Sequence, residues 1–214
     1  MGMALVSAAD KPTDALTRLK TGNAQFVAAP EDALPITAAQ RAALRQGQTP
    51  FATVLSCADS RVPPEVIFHT GLGDLFVVRV AGQVTDRSVL ASIEYGAEHL
   101  SIPLIVVMGH EMCGAVKATL EPPAGGSGPN IDYLLKAIRP AVARANKLPE
   151  AQRLRAAIME NVEETINRLL TDSAELQHLA AANRIALVGA YYELASGRVH
   201  FSDIVQLPHA DSSH

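Results

Sequence analysis

Short apolar runs alternate along the chain with stretches whose apolar positions recur every three or four residues. Residues 12–28 carry Leu16, Leu19, Phe26 and Val27 at spacings that predict an amphipathic helix. Thr37 is a candidate N-cap for a second helix running to about Gln46, before Gly47. A first strand is predicted at 51–56, then a short helix at 63–69 that opens on Pro63 and Pro64, then a turn at Gly71-Leu72-Gly73. Residues 75–80 predict a second strand, closed by Ala81-Gly82, and 87–99 a helix with Val89, Leu90, Ile93 and Tyr95. The run 104–108 predicts a third strand and 112–120 a helix. The Gly- and Pro-rich segment 122–130 must be a loop. Helices are predicted over 131–146, 150–171 and 173–181, and a fourth strand over 184–191. Residues 199–201 are a candidate fifth strand across the Ser196-Gly197 turn.

Strands that alternate with helices imply right-handed βαβ crossovers and a parallel sheet. The continuous apolar character of the second and third strands fits strands covered on both faces. The expected fold is therefore α/β: a mainly parallel four-stranded sheet with a candidate fifth strand at one edge, flanked by helices. The helices before residue 47 precede the first strand, so residues 1–46 are expected to form an N-terminal helical arm and 47–214 the α/β catalytic domain.

Composition narrows the function classes. The 214 residues carry a formal net charge of −4 with no basic run, which argues against a nucleic-acid partner. No stretch approaches the ~18 consecutive apolar residues of a membrane span. The opening Met1-Gly2-Met3-Ala4-Leu5-Val6 is too short and uncharged for a complete signal peptide. A cytoplasmic location is expected, with a removed leader and a periplasmic location left open. Two cysteines in a chain of this length do not make a disulfide scaffold; in the cytosol such residues pack, ligate metal or do chemistry.

Those cysteines carry the candidate chemistry. Cys57, Asp59 and Arg61 alternate where the first strand ends, and residues at i, i+2 and i+4 of an extended segment share a face. His110 and Cys113 follow the third strand, three residues apart. Ligands of parallel sheets bind at the carboxyl ends of the strands, where both motifs lie. Two thiolates and an imidazole suit Zn²⁺, one ion per chain, and three protein ligands leave a tetrahedral position open, as catalysis requires. Asp59 could fill that position or stand beside it. Competing readings are plain packing of the cysteines, a Cys57–Cys113 disulfide or redox pair, and an ordinary Asp59–Arg61 ion pair. His69, His99, His178, His200, His209 and His214 lack partners at ligand spacing and read as surface or packing residues.

Cys57-x-Asp59-x-Arg61 followed by His110-x-x-Cys113 resembles the β-class carbonic anhydrases, here of a bacterial type. The likeness extends through residues 71–82, Ser92-Ile93-Glu94-Tyr95 and 103–110, and covers roughly residues 12 to 205. It implies a zinc enzyme that interconverts CO2 and bicarbonate, working as a homodimer or a dimer-based tetramer whose N-terminal helices lie over the partner. Zinc lowers the pKa of bound water to ~7, which makes hydroxide available. Two thiolates offset the ion's formal charge, so Asp59, held ionised by Arg61, is expected to orient the hydroxide toward CO2. By the same resemblance Gln48 is the donor to substrate, and Phe76, Ala81 and Tyr95 are the apolar wall. One group within the family keeps bicarbonate in a second pocket, with a tryptophan three residues before the first cysteine ligand. Val54 stands there in this chain, and Arg79 and Tyr192 match the pocket's other members. Lacking that indole, the site is expected to be open, with Asp59 on Arg61 rather than on the metal. The alternatives on the same ligands are carbon disulfide or carbonyl sulfide hydrolysis and a non-catalytic zinc or redox module.

Overall fold

The computed structural model describes residues 11–32 and 36–205. The candidate leader and His209 and His214 lie outside them. Five strands form one sheet in the order β2-β1-β3-β4-β5. They are β1 (Ala52–Ser56), β2 (Leu75–Arg79), β3 (Leu104–His110), β4 (Ala186–Tyr192) and β5 (Val199–Val205). The first four are mutually parallel and β5 runs antiparallel to β4. The helices are α1 (Pro12–Ala28), α2 (Ala38–Ala43), α3 (Pro64–Ile67), α4 (Arg87–His99), α5 (Gly114–Leu120), α6 (Pro129–Ala145), α7 (Glu150–Thr171) and α8 (Ala174–Ala181). The expected α/β class and the parallel four-stranded core hold. The candidate fifth strand is longer than its sequence signal, because it pairs along β4 across an irregularity between Val188 and Ala190.

Burial explains why the central strands were readable. Every residue of β1, β3 and β4 is buried. Alternate side chains feed two cores. Val54, Val106, Met108 and Val188 join one with Leu19 of α1 and Ile138 of α6. Leu55, Ile105, Val107 and Leu187 join the other with Ile93 of α4 and Ile166 and Leu169 of α7. At roughly 25 cal/mol per Å² of apolar surface removed from water, such strands are stable only with helices on both faces. The second strand departs from the expectation that it is covered on both faces: β2 lies at the sheet edge, with a neighbour on one side only, and is half-buried.

Two early elements differ sharply. α1 buries Ala15, Leu16 and Leu19 against the body of its own chain. Its Asn23 donates to the carbonyls of Ile67 (3.1 Å) and Gly197 (2.8 Å) and accepts from the Val199 N–H (2.9 Å). Gly22 lets the helix approach so closely that a Cβ there would fall 1.8 Å from the Phe68 carbonyl oxygen. By contrast α2 and the 3-10 turn Leu44–Gln46 bury no residue. α2 is held locally by a capping box, in which Thr37 Oγ1 accepts from the Gln40 N–H and Gln40 Oε1 from the Thr37 N–H.

Candidate metal centre

The two strand ends meet. Cys57 follows β1 directly, and β3 extends two residues beyond its apolar run, so His110 is the last residue of that strand. The chain then reverses through Met112, at φ +55°, which starts α5 later than the sequence suggests and makes Cys113 its N-cap residue. The ligand atoms of Cys57, His110 and Cys113 all lie within 4.8 Å of one another. All three residues are buried, at 4%, 0% and 1% exposure, and both cysteines are free.

Their protonation suits a cation. His110 Nδ1 lies 2.9 Å from the Glu111 carbonyl oxygen, which can only accept, so the proton is assigned to Nδ1 and Nε2 presents a lone pair. That Nε2 is buried and has no protein partner. The hydrogen bond with Cys113, with help from the Gly82 N–H, pulls the Cys57 thiol below its ordinary range. The same contact, together with burial, pushes Cys113 up, which keeps its proton in place. A cation would displace that proton and take the imidazole lone pair. A buried thiolate pair with an unpaired imidazole fits zinc, and no fourth side chain joins the group among the described residues.

Asp59 is directed elsewhere. Its carboxylate accepts from Arg61 in a fork, Nε to Oδ1 at 2.9 Å and the terminal nitrogen to Oδ2 at 2.8 Å, and Oδ1 also accepts from the Arg61 N–H. These bonds hold the Asp59 carboxyl well below the usual carboxylate range. Arg61 reaches on to the Met112 carbonyl at 3.4 Å and so ties the two strand-end loops together.

Several supporting residues carry weaker signals in the sequence. Arg79, at the end of β2, donates to the carbonyls of Cys57 (3.0 Å) and Asp59. The sequence reading placed it only as a match to a second anion pocket, whereas its position closing an apolar run beside a ligand loop is the feature that could have revealed this bond. Val54, where that pocket would need an indole, is fully buried in the core. Gly82 donates its N–H to Cys57 Sγ at 3.3 Å. Glu111 accepts from the N–H groups of Leu194 and Ala195, which fixes the segment whose carbonyl orients His110.

The expected substrate residues are dispersed. Ala81 adjoins Gly82 in the 3-10 turn Ala81–Gln83, next to the Cys57 sulfur. Phe76 on β2 and Tyr95 on α4 form a ring pair at 6.3 Å on the sheet edge, with Tyr95 49% exposed. Gln48 lies in an open depression with Leu44, Leu72 and Leu75. It precedes β1 while Cys57 follows it, and at ~3.3 Å per residue a five-residue strand puts about 17 Å between them. One chain therefore does not bring Gln48 to its own metal ligands. Of the remaining histidines, His200 pairs with Glu193 at 3.2 Å and His99 packs on Tyr95.

Known proteins resemble this chain in sequence and fold. The carbonic anhydrase family model matches residues 52–199. A carbonic anhydrase of Mycolicibacterium smegmatis is 42% identical over 203 residues, covering 90% of this chain and 96% of that protein. The β-carbonic anhydrase of Coccomyxa, solved with acetazolamide, superposes with a TM-score of 0.71 at 26% identity, over 93% of this chain and 89% of that one. A tetrameric β-carbonic anhydrase of the ascomycete Sordaria macrospora superposes with a TM-score of 0.69 at 25% identity, over 77% of this chain and 87% of that one. With the family model covering most of the chain and the fold in common with β-class structures, this chain belongs to the carbonic anhydrase family, in its β class.

Proposed function

We propose that Cys57, His110 and Cys113 hold one zinc ion per chain and that Asp59 and Arg61 complete the machinery for reversible hydration of CO2 to bicarbonate and a proton. The observation that carries this assignment of roles is the pairing of a buried, unpartnered His110 Nε2 and two thiols with a carboxylate held off them by arginine. Zinc supplies a Lewis acid that makes water nucleophilic at neutral pH. The chain's own residues do the rest. Each Asp59 oxygen has lone-pair capacity beyond its Arg61 bonds, so the carboxylate accepts a hydrogen bond from the attacking water and aims a lone pair at carbon. Arg61 keeps Asp59 ionised and turned away from the ligands. Ala81, Phe76 and Tyr95 serve as the apolar wall for a substrate without a dipole, and Gln48 as its donor.

Gln48 can take that role only in the site of a second copy, given its place at the opposite end of β1. The half-buried edge strand β2, with exposed Leu72 and Tyr95 nearby, is a surface suited to such a copy. We assign a homodimer as the active unit, two of which can form a tetramer, with α2 and the 3-10 turn after it, which bury nothing in their own chain, acting as the arm over the partner. No helix among the described residues is long and apolar enough to cross a membrane. CO2 hydration followed by stopped flow on protein of measured zinc content tests the assignment. Fast hydration at one zinc per chain is expected; zinc-loaded protein that leaves CO2 unchanged would overturn it.

A further inference from the structure

The turn Ala81–Gln83 is held in a conformation it would not adopt alone. Gly82 sits at φ +67° and Gln83 at φ +41°, two left-handed residues in succession, one of them not glycine. A Cβ on residue 82 would lie 2.8 Å from Ile138 Cδ1 and 3.1 Å from Ala115 Cβ, so space as well as φ demands glycine. In this conformation the Gly82 N–H points at Cys57 Sγ, 3.3 Å away. Two side chains one helical turn apart on α7 hold the other side of the turn. Asn161 Nδ2 donates to the Gly82 carbonyl at 2.8 Å, and Thr165 Oγ1 donates to the Gln83 carbonyl at 3.2 Å. Asn161 is 1% exposed and Thr165 is buried, on a helix whose neighbouring inward positions are apolar. A buried amide in that setting is costly unless its hydrogen bond is needed.

We infer that Asn161 is a positioning residue for Cys57: by holding the Gly82 carbonyl it aims the Gly82 N–H at the thiolate that binds the metal. The inference rests on the metal-centre assignment and extends it to α7, about 100 residues further along the chain from Cys57. Its chemical consequence follows from the ligand set. Two thiolates donate more charge to zinc than imidazoles do, and an N–H donated to one sulfur draws some of that charge back. It also fixes the direction of the Cys57 lone pairs, which sets the coordination geometry. Asn161 thus acts on zinc affinity and on the electronic character of the sulfur without touching the substrate.

The test uses full-length Asn161→Leu, close in volume but unable to donate, beside wild type. Zinc affinity is measured by chelator competition, and the thiolate-to-metal charge-transfer band is recorded after Co²⁺ substitution. Expected are zinc binding about tenfold or more weaker and a band moved to lower energy, as a sulfur relieved of its hydrogen bond is easier to oxidise. Should Asn161→Leu fail to fold, Asn161→Ser, too short to span to the Gly82 carbonyl, carries the same measurements. A folded variant of lower thermal stability, with wild-type zinc affinity and an unmoved band, would show a purely structural role and overturn the proposal. Wild-type protein that fails to bind zinc at all would instead overturn the metal-centre assignment beneath it, so the two failures are told apart before any variant is compared.

Discussion

The two ends of β1 are built in opposite ways. At the carboxyl end, within a few residues, Cys57 is bonded by Gly82, its carbonyl by Arg79, and Asp59 by Arg61, which crosses to Met112. At the amino end, Gln48 faces an open depression beside α2 and a 3-10 turn that bury no residue. The contrast teaches where one chain is sufficient. A metal centre needs donor atoms fixed within a few ångströms, and adjacent parallel strands of the same chain supply that spacing. A pocket for a small apolar molecule needs walls that exclude water, and the half-exposed edge beside β2 cannot supply them alone.

The comparison can be broken most directly at the carboxyl end. Replacing Cys57 or His110 with Ala is expected to remove zinc and activity together, a loss of several orders of magnitude read by metal analysis and a hydration assay. Either variant retaining a full zinc complement would remove that residue from the ligand set.

Asp59→Asn is expected to keep zinc, since Asp59 points to Arg61, and to lower kcat/KM by about 100-fold or more through loss of the charged acceptor. Near-normal turnover would leave Asp59 as an ordinary surface partner of Arg61.

The amino end offers a smaller but more pointed effect. Gln48→Ala is expected to bind zinc normally and to lose about tenfold in kcat/KM. If Gln48 serves the partner's site, two defective proteins should complement. Dissociated and remixed Gln48→Ala and His110→Ala subunits would form mixed dimers with one intact site, recovering about a quarter of wild-type activity by random pairing. No recovery despite demonstrated subunit exchange would place the action of Gln48 within its own chain.

The smallest expected effect is on stability. Arg61 is half-exposed, so solvent screens the Asp59–Arg61 pair and its contribution to stability is small. Because Arg61 lowers the folded-state pKa of Asp59, that contribution is present above the unfolded value near ~4 and is lost as pH falls through the folded value. Urea unfolding should show Asp59→Asn slightly less stable than wild type at pH ~7, with the gap closing in acid. A large stability loss at neutral pH would mean that Asp59 is chiefly structural.

What was legible follows from local chemistry. β1, β3 and β4 announced themselves because strands covered on both faces are continuously apolar, and helix α2 because its cap Thr37 and the stop at Gly47 are local signals. β5 was underestimated because its alternating exposure carries a weak signal and its length is set by pairing with β4. The start of α5 was misplaced because the left-handed Met112 is not glycine and gives no warning.

The sequence by itself determined the ligand types, their positions at strand ends and the parallel sheet that makes strand ends neighbours, since these depend on residue identity and short-range periodicity. Only the tertiary structure decided that Arg79 holds the ligand loop and that Asn161 on α7 supports the turn beside Cys57. Those outcomes depend on hydrogen bonds between residues far apart in the chain. No spacing rule encodes such bonds until the crossovers have closed and water has been excluded from the groups that form them.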